Sequence, residues 1–407
     1  MKNWIKRYQK NKMILEENHS FNGGGMSFYR VEGPVLNNVI IRNNSAANRA
    51  GGIFAFGSTI TMTDVIITGN ECELNGGGMM LAASTNGVYE NMIITNNSSG
   101  THGGGIWASY AGGPESYNEG WTLINSIISG NTSERHGGGI ALGWSHPTII
   151  NCTISENTAN WGGGGIMGIT SGFTLKESII SNNYSITGGG GIRASGPVYE
   201  GLEPPIIEDC IITGNQTAGG SGGMLLYNGK VKRTVVSENQ AATFTGAIGI
   251  QGFATLTNLT IIGNTASQGG GVEAWDTGHP QIINSIVWDN TPTAVSLSDS
   301  GQIDITFSDI DGGWVGEGNI DTYPYFTDSE NGDEKSFCCI NSNARDFARL
   351  GRLYLSFGSW NGAQILDSSY VLAATSSSSR QTRADQAEVE LDLPSGRPTK
   401  WGRAQSH

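Results

Sequence analysis

Cysteine, proline and charge are all scarce in this chain. Its 407 residues include five cysteines and eleven prolines, and only 14% are charged. Cys72, Cys152, Cys210 and the adjacent Cys338-Cys339 form no paired framework, and the adjacent pair lacks metal-ligand spacing, so no disulfide scaffold is indicated. Cys152 and Cys210 read as ordinary buried thiols. No apolar run approaches the ~20 residues of a membrane span. The segment Met1-Lys2-Asn3-Trp4-Ile5-Lys6-Arg7 has charge without an apolar core and is not a signal peptide. Basic residues are few as well. Residues 1–12 hold five of the 23 and residues 334–407 nine, which leaves residues 13–333 with 9 basic against 29 acidic residues, a net charge of −20. Such a body repels nucleic acid and unscreened polyanions, and an acidic polysaccharide would need bridging Ca²⁺.

Glycine, by contrast, is abundant, with 61 copies, and it is periodic. Gly23-Gly24-Gly25-Met26 returns as Gly51-Gly52-Ile53, Gly76-Gly77-Gly78-Met79 and Gly103-Gly104-Gly105-Ile106, and so on to Gly269-Gly270-Gly271-Val272. Successive apolar residues are 27, 26, 27, 34, 26, 26, 32, 24 and 24 positions apart. A second marker, Asn/Asp-x-Ile-Ile-x-x-Asn, runs in phase and ends at Asn18, Asn44, Asn70, Asn97, Asn131, Asn157, Asn183, Asn215, Asn239, Asn264 and Asn290. The long steps of 34 and 32 occur in both series, so they are loop insertions, near 111–121 and 196–205. A fixed period in the twenties specifies a solenoid. Two or three short apolar strands per repeat, without a helix-length segment, specify a parallel β-helix of about eleven coils over 13–333. Stacked coils lie ~4.8 Å apart. The Asn column then reads as a side-chain ladder at a left-handed turn, and the glycines as the corner where Cβ is excluded.

The two columns, together with Phe307-Ser308-Asp309-Ile310-Asp311-Gly312-Gly313-Trp314 and Gly316-Glu317-Gly318-Asn319-Ile320-Asp321, resemble bacterial right-handed parallel β-helix repeat proteins. The resemblance covers about 13–333. It implies an all-β fold, a secreted or cell-surface setting, and a scaffold shared by pectate-lyase-like enzymes, glycan binders and adhesins. Residues 1–12 read as a foreign basic segment. Because Asn18 already lies in the ladder, the chain is expected to enter in mid-coil, as if truncated.

After Asp333 the text changes. Phe347, Leu350 and Tyr354 share a helical face, and 336–375 resembles a late segment of serine hydrolases related to class C β-lactamases. That family's Ser-x-x-Lys nucleophile does not occur anywhere in the chain, and Tyr89-Glu90-Asn91 falls inside the repeat. The segment 334–375 is therefore expected to be a joined fragment and 376–407 a disordered tail, so that a short helical or disordered end follows the solenoid. His102-Gly103-Gly104-Gly105 and Gly219-Gly220-Ser221-Gly222-Gly223 imitate esterase motifs, but both are built from the repeat's own glycines.

Alternation after the glycines sends two residues of each strand outward. These columns collect Phe54, Phe56, Trp107, Arg193, Tyr227, Glu273 and Trp275, with Asp276 beside them. An apolar, aromatic outer face suits a linear glycan, unless the two insertions fold over it. The function expected is carbohydrate binding by a monomer along this face. A β-helix polysaccharide lyase or glycoside hydrolase is the alternative, then a structural or adhesive solenoid, and last a serine hydrolase. No catalytic residue is assigned. Arg193 and Glu273 lie three coils apart, ~14 Å, too far to act on one bond. Lesser candidates for a metal such as Ca²⁺ are Asp309 and Asp311, and His102 with His136, which successive coils place ~5 Å apart and which can equally stack ring on ring.

Overall fold

A computed structural model describes residues 6–9, 12–83, 86–110, 120–194 and 203–324, together with four short strands beyond 358. Residues 1–341 and 342–407 form two compact units. The first is a parallel β-solenoid, with no α-helix among the described residues.

Each coil contributes up to four strands rather than the two or three expected. The first coil runs through Lys12–Glu16, His19–Asn22, Met26–Tyr29 and Glu32–Asn37, and the next begins at Val39–Arg42. Stacking these strands gives four sheets of 13, 9, 11 and 11 strands, called first to fourth in that order. The pairing is parallel and, apart from shifts between Ser20 and Asn22 and between Glu32 and Val35, in register: Met26 lies beside Ile53, Ile53 beside Met79, and Met79 beside Ile106. Lys6–Gln9 is the exception, folding back antiparallel onto Lys12–Glu16. The second sheet escaped notice in the sequence because most of its strands are two residues long, such as Glu71–Cys72.

The period places like residues on top of one another. Ile67, Ile94, Ile128, Ile154, Ile180 and Ile212 form an inward column of the first sheet, with no accessible surface. Burying each side chain stabilises the fold by roughly 1.5–3 kcal/mol. Cys152 and Cys210 sit at the corner between the fourth and first sheets, where burial pushes their thiols up to about 11 and about 12. Trp121, assigned by sequence to an insertion, belongs to the coil: it is buried beside Tyr89, and its Nε1 donates to Ser145 Oγ at 3.2 Å.

The asparagine ladder runs unbroken from Asn18 to Asn290. At each step the side-chain Nδ2 donates to Oδ1 of the next asparagine, for example Asn131 to Asn157 at 2.9 Å and Asn157 to Asn183 at 3.0 Å. The backbone N–H donates to the same oxygen, and Nδ2 also reaches a carbonyl of the preceding strand layer, as Asn157 does to Ile128 at 2.9 Å. The ladder asparagine itself, expected in the left-handed turn, does not adopt that conformation. The left-handed residue is the one before each ladder asparagine, as at Asn43, Asn96 and Asn182, while the ladder residue itself turns inward and is buried. A short polar side chain tolerates that turn, whereas the amide that follows it satisfies the buried corner.

The glycine corner behaves as expected. Gly103 has φ +65°, and a Cβ on Gly104 would stand 2.2 Å from the Thr132 carbonyl oxygen and 2.5 Å from that of Gly138. Backbone therefore packs on backbone where the second sheet turns into the third. The coil closes at the far end with Trp314 packed against the core and Asn319, whose Nδ2 donates to the Ile305 carbonyl.

In the second unit, Ser359–Trp360 pairs antiparallel with Ala363–Gln364, and Val389–Asp392 with Pro398–Trp401. The latter hairpin lies in the stretch expected to be disordered. The helical face at Phe347–Tyr354, and most of the hydrolase-like segment, lie outside the described residues.

Candidate functional site

Register alone carries the outer face of the third sheet. Ser27, Phe54, Met80, Trp107, Ala141, Met167, Arg193, Leu225, Gly249 and Glu273 follow one another on adjacent strands. The expected residues gather into two groups at the two ends of the face, separated by Ala141, Gly143 and Met167.

The first group is packed against itself. Phe54 is 8% exposed and clusters with Ala50, Met80 and Ala82, with Phe56 and Trp107 against them. Phe56 stacks on Tyr29, ring centroids 5.1 Å apart at 9°. Trp107 lies along the solenoid axis, its ring edge 2.8 Å from where a Gly143 Cβ would stand, and it stacks on His102 at 5.0 Å. These rings pack on one another, which leaves Phe54 and Met80 little surface for a ligand.

The second group encloses a pocket of about 470 Å³. Arg193, Leu225, Tyr227, Gln251, Trp275 and Asp276 line it, together with Phe244, Gln268, Ser298 and Asp299. Gly249, between Leu225 and Glu273, lets the chain pack closely here: a Cβ on it would stand 2.2 Å from Ser221 Oγ and 3.2 Å from the Trp275 ring. Phe244 meets Trp275 edge to face at 5.3 Å and 81°. Gln251 Nε2 donates to Asp276 Oδ2 at 3.3 Å. Arg193 has no carboxylate partner among the described residues.

Glu273 is 1% exposed, and hydroxyls hold both its carboxylate oxygens: Thr245 donates to one and Ser298 to the other at 2.6 Å. Around it, Ser221 Oγ, Gln251 Oε1, Trp275 Nε1 and Ser296 Oγ are buried without a hydrogen-bond partner. Four unpaired polar atoms in one neighbourhood are unusual, because buried polar groups are normally satisfied.

Phe244 and Gln268 were not singled out from the sequence, although the signal was present. Both stand four residues before the apolar residue of their repeat, the phase that also holds His102 and His136. Ser298 and Asp299 lie past the last glycine run, where the repeat gives no phase.

The two histidines stack, centroids 5.3 Å apart at 16°. Trp161 meets His136 edge-on at 5.6 Å, and the Arg135 guanidinium lies over Trp161 at 5.4 Å. Burial, the neighbouring His102, Arg193 and Arg135 push His136 down to about 4; burial and Arg135 also lower His102. At the closing end, Asp309 accepts a backbone N–H from Thr322 at 3.1 Å and Asp311 one from Asp289 at 3.2 Å. Burial raises Asp309, as do Asp321 and Asp311 beside it. Among the described residues, no group of three or more His, Cys, Asp or Glu side chains is placed to hold a metal ion. Of the insertions near 111–121 and 196–205, which could fold over the face, residues 111–119 and 196–202 lie outside the described residues.

Comparison with known proteins agrees with this architecture. The family model for a right-handed beta helix region matches residues 114–287, and the model of the Chlamydia polymorphic membrane protein repeat matches residues 91–109. A search of curated proteins finds no match. Register, ladder and family model together define a right-handed parallel β-helix repeat protein. No described helix is long and apolar enough to cross a membrane.

Proposed function

We propose that the protein is a surface-type β-helix that binds a glycan in the Arg193–Asp276 pocket on the outer face of its third sheet. One observation carries this reading. The pocket is lined by Trp275, Tyr227 and Phe244, and two of its lining side chains, Gln251 and Trp275, carry hydrogen-bonding atoms without a partner. Sugars offer apolar ring faces to aromatic side chains and hydroxyls to unpaired donors and acceptors. The repeat shared with Chlamydia polymorphic membrane proteins supports a surface or adhesive setting.

Lyase or hydrolase chemistry has less support. Glu273, the most enclosed acid, is held on both oxygens by hydroxyls, and Arg193 stands three coils, ~14 Å, away from it. Affinity electrophoresis through gels cast with neutral or acidic polysaccharides, with and without Ca²⁺, tests the binding reading. At least one polysaccharide should retard the protein, and Trp275→Ala should relieve that retardation about tenfold while the circular dichroism spectrum stays the same. Equal retardation of the variant and the parent would refute the pocket as the site.

A further inference from the structure

The polarity of the pocket narrows the ligand further, on the premise that the ligand is a glycan. Its carboxylates cluster at one end. Asp276 and Asp299 line that end, and Glu273 lies buried next to it with no basic partner. The single cation, Arg193, lies three strands away along the solenoid axis, ~14 Å at sheet spacing. A buried carboxylate without a counter-charge is costly, and a cation arriving nearby offsets that cost. Gln251 Oε1 is an acceptor with no donor. Trp275 and Phe244, set edge to face, present the aromatic surface that attracts ammonium groups.

A bare amine does not account for everything. Trp275 is 8% exposed, lines the pocket and carries an unpaired Nε1–H, which requires an acceptor oxygen. An ammonium beside a hydroxylated ring supplies both. We infer that the pocket takes an amino-sugar residue with a free, protonated amine, its ammonium received by Asp276 and Asp299 and its ring set against Trp275. The acidic body of the solenoid, net −20 over residues 13–333, favours the approach of such a ligand and opposes uronic acids.

Calorimetric titration of the full chain at low salt tests this, using trimers of β-1,4-linked glucosamine, N-acetylglucosamine, glucose and galacturonic acid, with trilysine as the control amine. The glucosamine trimer should bind at least tenfold more tightly than the other four ligands. Asp276→Asn with Asp299→Asn should erase that preference, while Glu134→Gln, an exposed charge outside the pocket, should leave it unchanged. Raising the pH until the sugar amine is neutral should also erase it. Equal affinity for the glucose or N-acetylglucosamine trimer overturns the amine assignment and leaves glycan binding standing. Trilysine binding as tightly as the sugar overturns the assignment to a saccharide. Heat from none of the four saccharides overturns both readings.

Discussion

His136 shows how a single side chain reports its surroundings. Its ring is sandwiched between His102 and the edge of Trp161, with Arg135 and Arg193 near enough to disfavour a proton. The native imidazole therefore titrates at about 4, while in the unfolded chain it titrates near the ordinary histidine value of 6.5. As the pH falls through that interval the unfolded chain takes up a proton and the native ring does not, so stability is lost between about pH 6.5 and pH 4. Because the ring is only partly buried, solvent screening reduces the effect to on the order of 1 kcal/mol. Denaturant midpoints of the parent and His136→Gln, measured at pH 7 and pH 4.5, should show the variant losing less stability on acidification. Parallel losses would mean that the ring is not held neutral. The stacking of the two imidazoles was one of two outcomes legible from their shared phase. The protonation state depended on Arg135 and Arg193, whose reach only the three-dimensional arrangement reveals.

Among the elements, the asparagine ladder and the glycine corner were both legible in the sequence, because a β-helix writes its cross-section into its period. The ladder's geometry was less so: the left-handed residue precedes the ladder residue, and at Glu156 or Gly130 it is not an asparagine at all. Asn157 joins Asn131 on one side to Asn183 on the other. Asn157→Ala would leave the Asn131 side-chain and backbone N–H groups without their acceptor inside the wall. A loss of ~2–4 kcal/mol in urea unfolding is expected, with the fold retained. Less than half a kilocalorie would mean that water replaces the ladder at no cost. The outward columns of the third sheet were legible from alternation, but their division into two packed groups was not. Alternation says which residues point outward, not that the Trp107 ring edge reaches Gly143 on the next coil while Trp275 borders an opening. The glycine at position 249, on which the Trp275 ring and Ser221 pack, is one of 61 and carried no mark of its own.

For the solenoid as a whole, each coil touches only its neighbours, so stability is a sum over coils and their interfaces. Residues 132–157 are one 26-residue coil, from the strand Thr132–Ser133 through Ile140–Gly143, Thr148–Ile150 and Thr153–Ser155 to the ladder asparagine. Their excision would set Asn131 directly on Asn183 and keep all four sheets in register. The shortened chain should retain its β-sheet circular dichroism and bind saccharide like the parent, because the pocket's lining begins at Thr187. Loss of the folded signal would show that the coils cooperate over a longer range than nearest neighbours. The period alone made this modularity legible. The pocket's position was not, since it depends on a lapse in the repeat near the closing end.

All ten amide links between ladder asparagines point the same way, nitrogen toward the later coil and oxygen toward the earlier one. Their dipoles therefore add instead of cancelling, and each link polarises the next. The solenoid wall thus contains a one-way electrical axis some ten coils long, its positive end toward Asn290. A charged group near Asn290 and the same group near Asn18 therefore sit at potentials of opposite sign.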